Sequence, residues 1–165
     1  MVQTAIWFEK LQIHELCARY TLTLDRHDIA AWVGCFTEDG VFGFGEHAIR
    51  GRAKIAAYGD VHKILASRHV NTSLCFDVDQ SGQRATGQSA IVLLLATERG
   101  YRTAFLGRYD DDLRKVDGNW LFSRRWVTAD QLPIDPNFDP LAADEEILAL
   151  VRPLLDAYQR LGERI

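Results

Sequence analysis

Five histidines, His14, His27, His47, His62 and His69, are the side chains of this sequence that change charge near neutral pH without a large perturbation. Four of them read as surface or capping groups. His14 lies between polar neighbours on an expected helix. His27 sits at that helix's end, where the dipole favours an imidazolium, and His47 and His62 fall in a loop and a helix with no obvious partner. His69 differs because it belongs to an alternating stretch, Ser67 to Asp79. There Val70, Leu74, Phe76 and Val78 fall on one side and His69, Asn71, Ser73 and Cys75 on the other. A histidine on the polar side of a curled sheet would face a cavity, and one ring nitrogen would need a partner to fix its tautomer. The first helix carries Tyr20 and Asp25 in its late turns. A carboxylate bonded to the imidazole raises its basicity and stabilises the imidazolium that forms when it takes a proton. The chemistry predicted is therefore proton removal or relay by His69, oriented by Asp25, with Tyr20 as a donor to a carbonyl or departing hydroxyl. Spacing alone equally allows His69 to face solvent and Asp25 merely to end a helix. Tyr20 and Asp25 are five residues apart, about 140° around an ideal helix. All three residues share one pocket only if the helix ends near Leu24.

Other chemistries find little support. There is no HxH, HxxxH or HExxH pattern and no cysteine pair, so no metal site is expected. Asp110-Asp111-Asp112 lies on a strand, where neighbouring side chains point to opposite faces, and reads as a solvated run. No GxSxG elbow and no phosphate-binding glycine loop occurs. Trp32, Phe36, Phe42, Phe44, Phe76, Phe105, Trp120, Phe122 and Trp126 read mostly as core; any that line a cavity imply an apolar or polycyclic ligand.

The elements that must position these residues follow from periodicity and turn signals. Residues 6–27 form a helix with Ile13, Leu16, Cys17, Tyr20 and Leu24 as its apolar stripe. Asp28 caps a second short helix. Thr37-Glu38-Asp39-Gly40 reads as a turn before a strand from Val41 to Phe44, and Gly51 opens a third helix, about Arg52 to Leu65. Strands follow at Ser67–Asp79, Ala85–Thr97, Tyr101–Lys115 and Asn119–Thr128, the last two joined through Asp117-Gly118. The strand centre AIVLLLA is apolar on both faces, which calls for cover by the core on one side and by a helix or partner subunit on the other. A loop with Pro133, Pro136 and Pro140 precedes a last helix, about Ala143 to Leu161, whose stripe is Ile147, Leu150, Val151, Leu154 and Leu155. Helices segregated from strands make the fold class α+β: a curled antiparallel sheet wrapped around the N-terminal helix, enclosing a cavity.

The totals agree with one soluble domain. The chain has 165 residues, 47% hydrophobic and 25% charged, with a formal net charge of -4. That sign gives no reason to expect nucleic acid or an anionic membrane as partner, and no apolar run is long enough to span a bilayer. The N-terminus lacks the marks of a signal peptide, and Cys17, Cys35 and Cys75 read as reduced core residues, which together point to the cytoplasm.

Tyr20-x4-Asp25, the stretch DIAAWVGCFTEDGVF, Gly51 before a helix, Arg68-His69, and GRYDDDLRKVDGNWLFSRRWV form a pattern over roughly residues 5–130. In it the chain resembles the SnoaL-like branch of the nuclear-transport-factor-2-like superfamily. The resemblance implies a cone-shaped fold with a deep hydrophobic pocket in residues 1–130. Residues 131–165 form a tail packing on the same domain or a neighbouring subunit. It also implies a homo-oligomer, dimer or trimer, formed through the outer sheet face. Asp25 and His69 fall where hexachlorocyclohexane dehydrochlorinase and bile acid 7α-dehydratase carry an Asp-His dyad, and Tyr20 matches the tyrosine of the latter's motif; scytalone dehydratase is a more distant relative. The function implied is a cofactor-independent lyase or isomerase of dehydratase type, acting on a small apolar or polycyclic substrate. Arg125 or Arg124 falls near a pocket arginine of the dehydrochlorinase, and Arg108-Tyr109-Asp110 mimics part of the limonene epoxide hydrolase constellation. Arg125, Arg108, Trp32, Asn71 and Phe44 are the expected substrate-binding residues. Two alternatives stand: a non-catalytic ligand-binding or dioxygenase β-subunit-like protein, and a polyketide cyclase with Asp130 as its acid/base group inside the pocket.

Overall fold

The computed structural model describes residues 2–131 and 145–164. The proline-containing loop and the predicted first residues of the last helix, Ala143 and Asp144, lie outside them. Among the described residues four helices, α1 (Val2–Asp25), α2 (Ile29–Val33), α3 (Arg52–His62) and α4 (Glu145–Leu161), pack with seven strands. The strands are β1 (Phe36–Phe44), β2 (His47–Arg50), β3 (Ser67–Val78), β4 (Arg84–Thr97), β5 (Gly100–Val116), β6 (Asn119–Gln131) and β7 (Glu163–Arg164), in the sheet order β3-β4-β5-β6-β1-β2-β7. Pairing is antiparallel except between β1 and β6, which run parallel. The α+β class and the curled sheet around α1 are as the sequence predicts.

The predicted stripe of α1 is the core. Ile13, Leu16, Cys17, Tyr20 and Leu24 are all buried, and Tyr20 sits among Trp32, Phe36, Tyr109 and Phe122 with ring centroids 5.7–6.0 Å apart. Edge-to-face and tilted aromatic pairs of this kind contribute about 0.5–1.5 kcal/mol each beyond their area. Asp28 caps α2 as expected, accepting from the Ala31 N–H at 3.1 Å.

Two local readings need correction, and both involve bulges. Thr37–Gly40 is not a turn before β1 but lies within it. The β1–β6 register jumps from Phe36↔Phe122 to Val41↔Arg124, so residues 37–40 bulge opposite Ser123. Gly40 lies so close under Phe36 that a Cβ would meet that residue's Cβ at 2.9 Å. In β3 the register jumps between Thr72↔Ala90 and Cys75↔Gln88, and Ser73 has φ 52°. The extra residue flips the alternation. Ser67, His69 and Asn71 face inward before it, and Phe76 and Val78 after it, while Val70 turns out to solvent. Cys75, expected in the core, is exposed for the same reason.

The last helix docks on its own chain. Ile147 and Leu154 pack with Leu65, Leu95 and Ala104, and the Tyr158 hydroxyl donates to the His47 carbonyl at 2.7 Å and the Phe42 carbonyl at 3.3 Å. α4 thus lies across the open end of the cone. The outward residues of β4, Val92 and Leu94, stay partly exposed on the other sheet face. Among the described residues no helix is long and apolar enough to cross a membrane.

Candidate functional site

α1 ends where the site begins. The Asp28 N–H donates to the Thr23 carbonyl at 2.9 Å and the His27 N–H to the Leu24 carbonyl at 3.0 Å, with His27 in the left-handed region at φ 61°. This paired arrangement closes a helix and leaves Asp25 as its last residue. The Asp25 side chain then reaches sideways to β3. It accepts from the Ser67 hydroxyl at 2.9 Å, from the His69 N–H at 2.9 Å, and bonds the His69 Nδ1 at 2.6 Å. Ser67 and His69 are two apart on a strand, so both offer themselves from one face. The two side chains of the pair are 7% and 9% exposed. Burial alone pushes the Asp25 carboxyl up, but the hydrogen bonds from the His69 ring, its charge when protonated, the His69 N–H and Ser67 outweigh burial and hold it below the ordinary value.

Above the pair lies a cavity of about 140 Å³. Tyr20, Leu24, Trp32, Phe42, Phe44 and Tyr58 form one side, and Ile91, Leu93, Phe105, Tyr109 and Val127 another; Val151, Leu154, Leu155 and Tyr158 of α4 close it. His69 and His62 supply its imidazoles, and among the described residues no Lys, Arg, Asp or Glu lines it. Burial raises the Tyr20 phenol to about 12, so it is a hydrogen-bond donor across the physiological range. Tyr20 and His69 therefore share the cavity wall, while Asp25 stands behind His69. The helical angle between Tyr20 and Asp25 is met by this division rather than by three groups converging.

His62 is the site residue that the sequence reading assigned to the surface. It is 3% exposed, not on the surface, and its ring lies 5.5 Å from that of His69 at 32°. Burial first, then the neighbouring His69 charge, push it down to about 3 against the pull of Asp25. Its Nδ1 is buried with no hydrogen-bond partner. A signal was there: Ile55, Gly59 and His62 are the buried residues of α3, spaced four and three apart. His27 was also misread as a plain capping group; its Nε2 meets the Leu65 carbonyl at 2.8 Å and ties the end of α1 to the approach to β3. His47 belongs to β2 rather than a loop.

Trp32 and Phe44 line the cavity; the other expected substrate-binding residues do not. Of the two candidate arginines, Arg125 points inward and Arg124 outward. Arg125 is fully buried behind the wall, where its Nε and Nη2 donate to Asp111 at 2.8 and 2.7 Å. Its guanidinium stacks on Phe122, Tyr109 and Tyr20 at 3.8, 4.0 and 4.3 Å. Burial disfavours its charge, and Asp111 more than offsets that. Asp111 is therefore no part of a solvated run: only Asp110 and Asp112 face outward. Arg108 is on the outer face, bonded to Asp130 at 3.0 Å, which places Asp130 outside the cavity too. Asn71 is on the inner face of β3 beside His69, with both side-chain polar atoms buried and unpartnered. Among the described residues no group of three or more His, Cys, Asp or Glu side chains is placed to hold a metal.

Residues 9–126 match the family model of the SnoaL-like domain. No functionally curated protein matches the sequence. Among solved structures, an aspartate-to-asparagine variant of Rv3472, a Mycobacterium tuberculosis protein of unknown function, is 43% identical over 98% of this chain and 95% of its own, with a TM-score of 0.90. A candidate scytalone dehydratase from Novosphingobium aromaticivorans is 24% identical over 79% of this chain and 89% of its own, TM-score 0.70. The β subunit of a candidate aromatic-ring-hydroxylating dioxygenase from the same organism is 16% identical over 81% and 96%, TM-score 0.70. At these last two identities the likeness is one of fold.

Proposed function

Taking as premise that the chain belongs to the SnoaL-like family, we propose that it is a cofactor-independent lyase of dehydratase type with Asp25 and His69 as its acid–base pair. The observation that carries this reading is the 2.6 Å contact between His69 Nδ1 and Asp25 Oδ1 at the wall of an apolar cavity. A carboxylate on Nδ1 keeps the proton there, so Nε2 is the basic nitrogen left to act on a bound molecule. Asp25 also stabilises the imidazolium once Nε2 has taken a proton. Tyr20 donates to an oxygen of the substrate, and the aromatic walls exclude water and hold an apolar skeleton.

The sequence of events is short. His69 takes the proton from carbon beside a carbonyl, the C–H electron pair becomes the new double bond, and the β-hydroxyl leaves with the proton that His69 returns. Water is released and the imidazole is restored. Positioned acid–base catalysis of this sort contributes about 10²–10⁴-fold. The test is turnover of a panel of apolar hydroxy-ketones by the wild-type protein and His69→Ala, with a loss of about that size expected; equal turnover would sink the role. An apolar lining without charge also suits a protein that only binds its ligand. That reading predicts ligand capture unchanged in His69→Ala and no elimination by either protein. The open outer sheet face, with Val70 at 46% and Leu106 at 39% exposure, supports pairing of two copies there.

A further inference from the structure

We infer that His62 binds the carbonyl oxygen of an uncharged substrate, holding it while His69 exchanges a proton with the adjacent carbon. The inference rests on the dyad reading and adds to it a second imidazole with a different task.

Three histidines of this end of the cone can be compared. His69 is fixed by Asp25 and His27 by the Leu65 carbonyl. His62 has neither: its Nδ1 is buried and meets no partner, although the ring is on the cavity wall 5.5 Å from His69. Buried polar groups are paired in the great majority of cases, and leaving one unpaired is a cost to the fold. An imidazole of this kind, kept at the wall of a largely apolar cavity, has hydrogen-bonding capacity to offer a ligand.

The chemistry of the surroundings names the ligand class. The groups that face His62 are His69, Asp25 and His27, and their balance together with burial leaves it neutral. A neutral imidazole binds an oxygen as a donor without trapping it as an ion. Arg125 is paired with Asp111 behind the wall, and among the described residues no Lys or Arg lines the cavity to offer a counter-charge to a carboxylate or phosphate. The substrate that fits is an uncharged ketone or aldehyde with a removable proton on the next carbon. In the transition state negative charge grows on that oxygen, and the His62 N–H strengthens there.

The test uses binding rather than turnover, so it stands apart from the dyad reading. 2-Tetralone and its hydrocarbon analogue tetralin are titrated into the full chain by calorimetry. Wild type is expected to prefer the ketone by about five- to tenfold, the worth of one hydrogen bond. His62→Phe and His62→Leu should bring that ratio to about one and leave tetralin binding intact, while His62→Gln, which keeps a donor, and His69→Phe should retain it. The thermal midpoint of His62→Phe should not fall, since an unpaired polar group is removed. A ketone preference that survives in His62→Phe or His62→Leu overturns the inference, as does wild type with no preference. An unchanged rate in His69→Ala would remove the dyad reading without touching this ratio.

Discussion

Asp25 and Asp111 both accept hydrogen bonds from a basic side chain inside the cone, and the two pairs end in opposite circumstances. At Asp111 the guanidinium of Arg125 is held by two bonds, is fully buried, and is covered by three aromatic rings. Its Nη1 is buried without a partner, but it lies behind the wall and not on the cavity. At Asp25 only one imidazole nitrogen is engaged, and the ring's other side belongs to the cavity. The same elements, inward strand residues meeting at α1, therefore yield one pair sealed in the core and one at the cavity wall. What separates them is not the residue types but whether a nitrogen is left unspent beside empty apolar space.

Breaking the sealed pair should give the largest effect. Asp111→Ala leaves Arg125 buried and unpaired and is expected to cost about 3–5 kcal/mol in urea unfolding. Asp111→Leu with Arg125→Met should recover most of it, because two apolar residues of similar volume replace the pair at little or no net cost. A mild effect of Asp111→Ala alone would mean that the charge is not sealed there. Breaking the pair at the cavity wall should act on rate more than on fold. Asp25→Asn keeps the shape but removes the charge. Turnover should fall about 10²-fold or more, with about 1–3 kcal/mol of stability lost through weaker bonds to Ser67 and His69.

Acid should separate the two regions as well. His62 is neutral in the fold down to about pH 3, while the unfolded chain takes up that proton near the ordinary 6.5. Stability from its neutrality is present above pH 6.5 and lost as pH falls toward 3, at up to about 1.4 kcal/mol per pH unit. The Asp25 carboxyl lies below its ordinary value of 3.8, so its contribution is present above that value and fades only below it. Unfolding midpoints of wild type and His62→Leu should lie closest at neutral pH and separate as pH falls below 6.5, because only the wild type loses stability to this proton. The smallest effect is expected from Tyr158→Phe, which removes the bonds to His47 and Phe42 at the cavity's cover and should cost about 0.5–1.5 kcal/mol.

Much of this was legible in the sequence, for identifiable reasons. The stripe of α1 and the alternation from Ser67 to Asn71 are undisturbed by bulges, so they located the core, Asp25 and His69. The alternation misled beyond Ser73, because one extra residue in β3 reverses every face after it. The acidic run Glu38-Asp39 before Gly40 has the composition of a turn, and only the parallel pairing with β6 makes it a bulged strand. Arg125 pointed inward as one of the two arginines had to, but its partner Asp111 lay in a run whose composition suggests solvent. His62 required the helical phase of α3 to be combined with the position of β3, a tertiary fact no local pattern contains.

The central claim is that Asp25 holds the proton on Nδ1 of His69 and leaves Nε2 free to act. Nitrogen-15 NMR of the labelled histidine rings at neutral pH measures this directly. The account predicts that His69 carries its proton on Nδ1, with a hydrogen-bonded ring-proton signal that disappears in Asp25→Ala, and an unprotonated Nε2. A His69 ring protonated on Nε2 alone, or unchanged in Asp25→Ala, would contradict it.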